Sequence, residues 1–381
     1  MDTILQRARA LLQSSQEQKA LDLLAPAATQ NPENPAVLEL FGQALLEVND
    51  VESAYSVLSK AVEIDPEANH GVDKFLYLGQ IIGGRDGCQY LDVALAKLQT
   101  QLEKVASNSQ DDPALVELAK VYPTSEELSQ YLIKKLNQGI FAEIEIWMTD
   151  LCMEPEAEDQ CDKLISHSLA LDDTNPEALS LLALIRISQQ RNDDARHALL
   201  QSWEHFQHKK QNLEINQAEG GEEASFEYIE LVQPLLGLAR FAIELSMYDV
   251  VPAICSSVAD INDNALDCFY YEALSHLLKA KLAYHNKNPS EDDYRELGAA
   301  VVAKSEDPEI QAAIAEAKLA LTQGYRVINS ADAEASDPDV VDQVNEMLQE
   351  LGGPVMAELM PERRNDDDEE GWEDEIVSDE E

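Results

Sequence analysis

Carboxylate and amide side chains recur at regular intervals in this chain and are the groups best suited to bind a charged partner. The residues predicted to line one binding surface are Glu39, Gln43, Glu47, Asp73, Gln80, Asp150, Glu154, Arg240, Glu244, Asp267 and Tyr270. Carboxylates and amides predominate among them. They suit lysine and arginine side chains of an extended peptide, because charge-assisted hydrogen bonds are strong and directional. The alternative is that each carboxylate belongs to a solvated helix face.

Residues for catalysis are much harder to find. The run from Gly83 to Gly87 is glycine-rich, but it lacks the following Lys and Ser/Thr that a phosphate-binding loop requires. It is better explained as the turn between two helices. His205 and His208 are close in sequence, but no nearby cysteine or carboxylate spacing completes a metal-ligand set. We therefore predict a protein that is not an enzyme, with no catalytic residues, no metal and no cofactor.

The elements that must position the polar residues are indicated by a repeat of thirty-four residues at the start of the chain. The matched pairs are Ile4 and Leu38, Ala8 and Gly42, Leu11 and Leu45, Ala20 and Ala54, Leu24 and Leu58, Ala27 and Ala61, and Pro32 and Pro66. Small residues allow two helices to cross closely, large ones fill the gap between them, and the proline ends the second helix. This is the signature of the tetratricopeptide repeat (TPR).

The same spacing fits further along the chain. Cys161, Ile165 and Ser168 are followed thirty-four residues later by Ala195, Leu199 and Ser202, and other units begin near Val232 and Phe269. Phe75 to Ile82 is predicted as the first helix of a third unit with a degenerate partner helix. A single hairpin cannot bury its apolar face, so hairpins must stack. The predicted fold is all-α, a TPR-type helical-hairpin superhelix (α-solenoid) of six to seven hairpins.

Three segments interrupt or follow the repeats. Residues 1–329 are predicted to form the superhelix, with a loop insertion at Gln207–Ala224. Residues 330–364 are predicted as a linker and a terminal amphipathic helix, Asp339–Leu351, which ends at Gly352 and Gly353. Residues 365–381 are predicted to be a disordered acidic tail, because they hold eleven acids and no Lys or Arg.

Charge separates the possible partners. The chain has 74 acidic and 27 basic residues, a formal net charge of −47, and residues 1–364 still carry −36 once the eleven acids of the tail are removed. Such a field repels nucleic acid and anionic membranes and attracts basic proteins such as histones or ribosomal proteins. The alternative is that acidity only keeps the protein soluble. We expect no direct nucleic-acid or membrane partner.

The predicted surface also argues against one kind of repeat protein. In the first helix of each hairpin, positions 2, 5, 9, 12 and 13 face the concave side, and the residues above occupy such positions. Repeat domains that clamp the acidic C-terminus of a heat-shock chaperone need Lys and Asn at positions 5 and 9 of the first unit. This chain has Leu5 and Arg9 there, so a carboxylate-clamp co-chaperone is disfavoured.

The five cysteines, Cys88, Cys152, Cys161, Cys255 and Cys268, form no CxxC pair. They are predicted to be reduced packing residues, and Cys152, Cys161 and Cys255 occupy repeat signature positions. No apolar leader or bilayer-length apolar span is present, so we expect a soluble intracellular protein.

Lys74–Leu98, Glu143–Ala195 and the acidic tail together resemble the fungal dedicated assembly chaperones of the large-subunit ribosomal protein uL4. The resemblance implies a superhelix that captures the long internal loop of that basic protein, keeps it soluble and escorts it to nuclear pre-60S assembly. It also implies a place in both cytoplasm and nucleus, and an import factor recruited through the client. The alternative is a generic acidic TPR adaptor or histone-type chaperone.

Overall fold

A computed structural model describes residues 2–109, 112–218, 222–289, 291, 293–330 and 336–359. Its regular elements are nineteen α-helices and one short 3-10 helix, Tyr294–Glu296, with no strand among the described residues. The helices are α1 (Asp2–Gln13), α2 (Glu17–Gln30), α3 (Pro35–Glu47), α4 (Val51–Ile64), α5 (Asp73–Ile82), α6 (Gly84–Ala106), α7 (Pro113–Leu118), α8 (Ser125–Met148), α9 (Ala157–Leu171), α10 (Pro176–Ser188), α11 (Asn192–Ala218), α12 (Glu222–Glu230), α13 (Val232–Glu244), α14 (Val251–Ile261), α15 (Leu266–Lys287), α16 (Ala299–Val302), α17 (Pro308–Ile328), α18 (Pro338–Glu350) and α19 (Met356–Leu359). The predicted all-α fold class with TPR-type hairpins is confirmed.

Many helices begin at the same local motif, an Asn or Asp followed by Pro. The capping residues are Asn34, Asp112, Asn175, Asp307 and Asp337. In each case the side chain accepts hydrogen bonds from the first free backbone N–H groups, and the proline fills a position that needs no donor. The motif therefore fixes the start of helices in widely separated parts of the chain.

The turns inside the hairpins are also repeated. Ser15, Asn49, Gln190 and Ser246 all have positive φ, between 50° and 62°. The next residue donates its N–H to a carbonyl five positions back, as Asp50 does to Leu45 at 2.9 Å. This left-handed ending satisfies the last carbonyls of the first helix. It sets the short turn from which the second helix returns.

The chain divides into two compact units, Met1–His205 and Phe206–Glu381. In the first unit, α1 packs with α2, α3 with α4, α5 with α6, and α8 with α9. Ala8, Ala20 and Ala54 are fully buried. A Cβ added at Gly42 would overlap the Leu58 side chain, so the small residues of the repeat mark places where helices approach closely.

The third and fourth hairpins depart from the thirty-four-residue spacing. Helix α6 has 23 residues and α8 has 24, and the short helix α7 lies between them. Apolar residues of α5, α6, α8 and α9 form one buried cluster that includes Leu91, Leu136 and Ile140. These longer helices explain why a fixed spacing locates the fourth unit poorly.

In the second unit, α13 packs with α14, and α15 packs mainly along α17. Val258 and Ala273 are fully buried in these helices. The amphipathic helix α18 packs on α15 and α17 through Val344 and Leu348. It was predicted as Asp339–Leu351 and begins one residue earlier, at Pro338.

The expected loop at Gln207–Ala224 is wrong over most of its length. Helix α11 continues through it to Ala218, and α12 begins at Glu222. Residues 207–218 have no Pro or Gly, and seven of the twelve are Gln, Lys, Leu or Glu, which favour helix. Leu213 is buried, and Lys210 lies 2.7 Å from Asp260, so packing and an ion pair hold it.

The C-terminal end of α18 follows the predicted pattern. Gly352 and Gly353 have positive φ, and the Gly353 N–H donates to the Leu348 carbonyl at 2.8 Å. Residues 331–335 of the predicted linker and the acidic tail, 365–381, lie outside the described residues. Among the described helices, none combines the length and the apolarity that crossing a bilayer requires.

Candidate partner-binding site

The predicted residues of the first unit's second and third hairpins lie on first helices, as expected. Glu39, Gln43 and Glu47 follow one another at intervals of four on α3, and Asp73 and Gln80 are seven residues apart on α5. Both spacings keep side chains on one helix face. The structure therefore places these five residues on two adjacent first helices, with Glu47 and Gln80 exposed and Glu39, Gln43 and Asp73 partly buried.

Glu39 has a structural partner that the sequence did not reveal. Lys74 on α5 is completely buried, and its ammonium lies 3.4 Å from Glu39 Oε2 and 3.0 Å from Asp65 Oδ2. It also donates to the Gly71 carbonyl. A buried ammonium is costly unless paired, so Glu39 and Asp65 stabilise the fold here.

The pKa values of Glu39 and Asp65 shift in opposite directions. Burial raises the pKa of Glu39 to about 7, with Asp73 adding to the effect and Lys74 opposing it. Burial acts in the same direction on Asp65, but the backbone N–H groups of His70 and Asn69, together with Lys74, hold the pKa of Asp65 below its usual value. Hydrogen bonds of 2.9 Å from both N–H groups explain the difference.

Asp73 is paired with a lysine from the next first helix. Its Oδ1 accepts a hydrogen bond of 2.8 Å from Lys135 of α8. Burial alone would lower the pKa of Lys135, but Asp73 reverses this and the pKa is raised. The pair joins α5 to α8 on the side that carries Glu39.

Two half-buried tyrosines complete this side. Burial raises the pKa of Tyr77 on α5, and Asp73 raises it further. Burial and Asp73 likewise raise the pKa of Tyr131 on α8. The Tyr131 ring stacks on Tyr122, with ring centroids 4.6 Å apart. We name the surface formed by Glu39, Gln43, Glu47, Asp73, Tyr77, Tyr131 and Lys135 the α3–α5–α8 face.

Asp150 and Glu154 are placed differently from the prediction. They lie in the turn between α8 and α9, and not on the first helix of a repeat. The reason is that this turn is long and contains Pro155, which shifts the repeat register. Gln80 and Asp150 nevertheless meet at a cleft of about 300 Å³, lined by Gln80, Gly83, Ala142, Glu145, Ile146, Thr149 and Asp150.

The glycine-rich run borders this cleft and binds a carboxylate. Gly83 has positive φ and alone separates α5 from α6, because α6 begins at Gly84, so the turn predicted for Gly83 to Gly87 is confined to its first residue. The Gly84 N–H donates to Asp150 Oδ2 at 2.8 Å, so a protein carboxylate occupies the N-terminus of α6. Arg85 lies 2.6 Å from Glu154 and 2.7 Å from Glu156. This arrangement repels a phosphate group.

In the second unit, the predicted residues come from two first helices. Arg240 and Glu244 are exposed on α13, and Asp267 and Tyr270 are half-buried on α15. Burial and Asp267 raise the pKa of Tyr271 on α15, and Arg240 of α13 opposes the shift. This surface mixes charges of both signs and is less acidic than the α3–α5–α8 face.

The residues around the candidate site that sequence analysis missed are Tyr77, Tyr131 and Lys135 of the α3–α5–α8 face, and the buried Lys74 beneath it. Tyr131 and Lys135 lie on α8, whose apolar residues recur every four positions from Leu128 through Leu132 and Leu136 to Ile144. That period was a usable sign of one long helix across these residues. The ion pairs of Lys74 with Glu39 and Asp65, and of Lys135 with Asp73, have no local sequence signal.

The cysteine prediction is wrong at one position. Cys152 is exposed, because it lies in the turn after α8 and not at a packing position, whereas the other four cysteines are buried. Burial raises the pKa of Cys161 to about 11. In the part of the chain that the structure describes, no group of three or more His, Cys, Asp or Glu side chains could hold a metal ion.

Glu143 is a further buried carboxylate outside the predicted set, beside Asp65 and Asp112. Glu143 on α8 is 6% exposed, and its Oε1 accepts a hydrogen bond of 3.3 Å from Trp147. Its Oε2 is buried with no partner among the described residues. Burial, with a contribution from Asp92, raises the pKa of Glu143 to about 7.

Comparison with known proteins adds family information to this geometry. Residues 264–371 match the ACL4 C-terminal domain, and residues 11–71 match a tetratricopeptide repeat. A Schizosaccharomyces pombe protein named "Probable assembly chaperone of rpl4" is 29% identical over 302 residues, which are 78% of this chain and 80% of that protein. A protein of the same name from Emericella nidulans is 29% identical over 213 residues, 53% of this chain and 48% of its own length.

A solved structure supports the fold. It is titled "Assembly Chaperone of RpL4 (Acl4) (Residues 1-338)" and matches with a TM-score of 0.57 and 22% identity, over 75% of this chain and 97% of that one. The resemblance to the assembly chaperones of this ribosomal protein, predicted from the sequence, is therefore confirmed by the C-terminal domain match and by the named relatives.

Proposed function

We propose that this chain is a dedicated chaperone of a basic large-subunit ribosomal protein of the uL4 class. It binds a basic, extended segment of the client, its internal loop, on a groove to which the α3–α5–α8 face contributes. The names of the relatives support a chaperone and favour a binding protein over an enzyme. The net charge of −47 supports a basic client.

The observation that carries this proposal is the arrangement of polar side chains on α3 and α5. Glu39, Gln43 and Glu47 share one face of α3, and Asp73 on α5 lies close enough to Glu39 to raise its pKa. Two adjacent helices therefore present carboxylates to one shared surface. A basic segment lying across them meets several acceptors at once.

The proposed cycle follows from electrostatics. A segment that binds ribosomal RNA is rich in Lys and Arg, and without RNA it lacks counter-charges. In the cytoplasm, the acidic surface of the chaperone takes the place of the RNA phosphates. The chaperone then accompanies the client and its import factor into the nucleus, where it releases the basic segment at pre-60S assembly. Release is competition, because RNA presents denser negative charge.

The alternative function is a generic acidic TPR adaptor or histone-type chaperone. Any acidic surface binds polycations at low ionic strength, where charges are weakly screened. The two functions therefore differ in selectivity at physiological salt. A dedicated chaperone retains one basic ribosomal protein, whereas a generic adaptor retains several basic proteins or none.

The test is affinity capture at physiological salt with identification of bound proteins by mass spectrometry. The informative variant combines Glu47→Lys with Glu145→Lys, two exposed carboxylates on first helices. Its control combines Glu63→Lys with Glu103→Lys, two exposed carboxylates on second helices. Both variants change the net charge equally, so only position differs.

We expect the wild-type chain and the control to retain one stoichiometric uL4-class protein, and the informative variant to lose it. If both variants bound the client equally well, the client would have to bind at another surface of the chain. Recovery of many basic proteins by the wild-type chain would support the generic adaptor. Glu39 and Asp150 are unsuitable for charge reversal, because Glu39 pairs with buried Lys74 and Asp150 caps α6.

A further inference from the structure

The short helix α7 and its neighbours enclose an apolar cavity at the surface of the first unit. The cavity has a volume of about 280 Å³ and lies where the C-terminal end of α6, α7 and the N-terminal end of α8 meet. Val105 of α6, Leu115 of α7 and Leu128 of α8 line it and are buried. Val116 of α7 also lines it and is 47% exposed. The cavity therefore has an apolar floor and an apolar rim that solvent reaches.

The size and lining of the cavity suit a single side chain. Sites for small molecules and cofactors usually have about 300 to 1,000 Å³ and a few charged or strongly polar groups that fix the ligand. This cavity is smaller, and its polar lining residues are uncharged Asn, Ser and Thr. An aromatic or branched aliphatic side chain that enters it leaves water, which is favourable.

Tyr122 connects the cavity to the α3–α5–α8 face. Its ring lines the cavity and stacks on Tyr131 of α8, with ring centroids 4.6 Å apart. Tyr131 and Lys135 are four residues apart and share one side of α8, and Lys135 donates to Asp73 of α5 at 2.8 Å. Asp73 raises the pKa of Tyr131, and Arg9 of α1 opposes this more weakly. One extended segment can therefore reach both the acidic face and the cavity.

The charge around the cavity is also negative. Residues 97–128, which include every lining residue, contain six acids and three lysines. The three lysines are all paired with carboxylates within 3.5 Å, as Lys97–Asp112, Lys104–Asp112 and Lys120–Glu117. Glu126 and Glu127, at the N-terminal end of α8, are exposed. The surroundings of the cavity therefore attract a basic segment.

The same charge disfavours two other occupants. A second copy of this chain carries a net charge of −47, and residues 365–381 of the chain itself hold eleven acids and no Lys or Arg. The acidic residues around the cavity repel both. A segment rich in Lys and Arg is attracted instead, and an apolar residue within it can enter the cavity.

We propose that the cavity between α6, α7 and α8 binds one aromatic or branched aliphatic side chain of the basic client segment, while the α3–α5–α8 face binds basic residues beside it. This inference rests on the proposed function and deepens it by naming a second element of recognition. Charge alone attracts any polycation, whereas an apolar side chain at a fixed distance from basic ones is a property of particular sequences. The cavity therefore adds selectivity to the acidic surface.

The test compares two peptides of equal length and charge, with four lysines on each side of a central Phe or a central Ala. We expect the full chain to bind the Phe peptide roughly fivefold or more tightly at physiological salt, measured by fluorescence anisotropy. The ratio should fall towards one in Val116→Asp, which places a carboxylate at the rim of the cavity. The control, Val121→Asp, makes the same charge change at a valine that is 63% exposed and outside the lining, and should leave the ratio unchanged.

Equal affinity of the wild-type chain for the two peptides would overturn the proposal, and this comparison needs no variant to fold. An unchanged ratio in folded Val116→Asp would also overturn it. Displacement of the Phe peptide by a synthetic peptide of residues 365–381 would assign the cavity to the chain's own tail. A dimer that Val116→Asp dissociates would assign it to a second copy, and either result would overturn the proposal.

The outcome for the proposed function is read separately, from capture of the ribosomal protein. If the chain captures a uL4-class protein but binds the two peptides equally, only this inference fails. If the chain captures no ribosomal protein, the proposed function fails, whatever the ratio of peptide affinities.

Discussion

Glu143 offers a direct test of how the first unit tolerates a buried ionisable group. The side chain is 6% exposed, and only one of its oxygens has a hydrogen-bond partner among the described residues. Burial raises its pKa from 4.5 to about 7, and Asp92 contributes. The folded chain therefore favours the protonated acid, which carries no charge.

The sign of the pH dependence follows from this direction. Because the folded-state pKa of Glu143 is raised, its stabilising contribution is fully present below pH 4.5 and is lost as pH rises through about 7. The full difference corresponds to about 3 kcal/mol of unfolding free energy. Glutamine has nearly the same shape and no proton to lose, so Glu143→Gln avoids this loss.

The assay is urea denaturation of the wild-type chain and Glu143→Gln across this pH range. We expect the variant to gain about 1 to 3 kcal/mol relative to wild type between low and high pH. The control is Glu145→Gln, an exposed carboxylate on the same helix, whose effect should stay within about 0.5 kcal/mol. A free-energy difference for Glu143→Gln that does not change with pH would refute the reasoning.

Two further substitutions test the packing around the candidate site. Lys74→Met removes an ammonium that is 0% exposed and leaves Glu39 and Asp65 without its positive charge. We expect a loss of about 3 to 5 kcal/mol by thermal unfolding. A loss below about 1 kcal/mol would contradict this. Gly87→Ala would place a Cβ against the Gly79 backbone carbonyl and should cost about 1 to 3 kcal/mol, whereas Gly237→Ala, which meets no atom within 4 Å, should not destabilise.

The first two hairpins could be predicted well from sequence, because the repeat encodes contacts within each hairpin. Ala20 and Leu24, and their counterparts Ala54 and Leu58, are all fully buried. Local rules are sufficient here, since small and large residues at fixed positions determine how two consecutive helices cross. Another local rule, that glycine often follows the last turn of a helix, located the cap at the end of α18.

The fourth hairpin could not be placed this way. The long helix α8 and the turn around Pro155 change the number of residues between repeat positions. A fixed spacing then assigned Cys152 to the core and Asp150 to a helix. The loop predicted after Gln207 failed for a related reason, since a break in the repeat pattern was interpreted as a break in the helix.

The candidate site was predicted in outline and not in its interactions. The positions of Glu39 and Asp73 on first helices follow from the repeat alone. Their partners do not, because Lys74 is 35 residues from Glu39 and Lys135 is 62 residues from Asp73. Only the stacking of hairpins brings such residues together, so burial and charge pairing become visible only in three dimensions.

The exposed position of Cys152 gives the native chain a built-in attachment point. The other four thiols are buried, and burial raises the pKa of Cys88 to about 11, so they react slowly with alkylating reagents while the fold is intact. A maleimide fluorophore therefore marks the turn beside the cleft at Asp150 without any engineered substitution. Spectroscopic distance measurements can start from this turn in the unaltered protein.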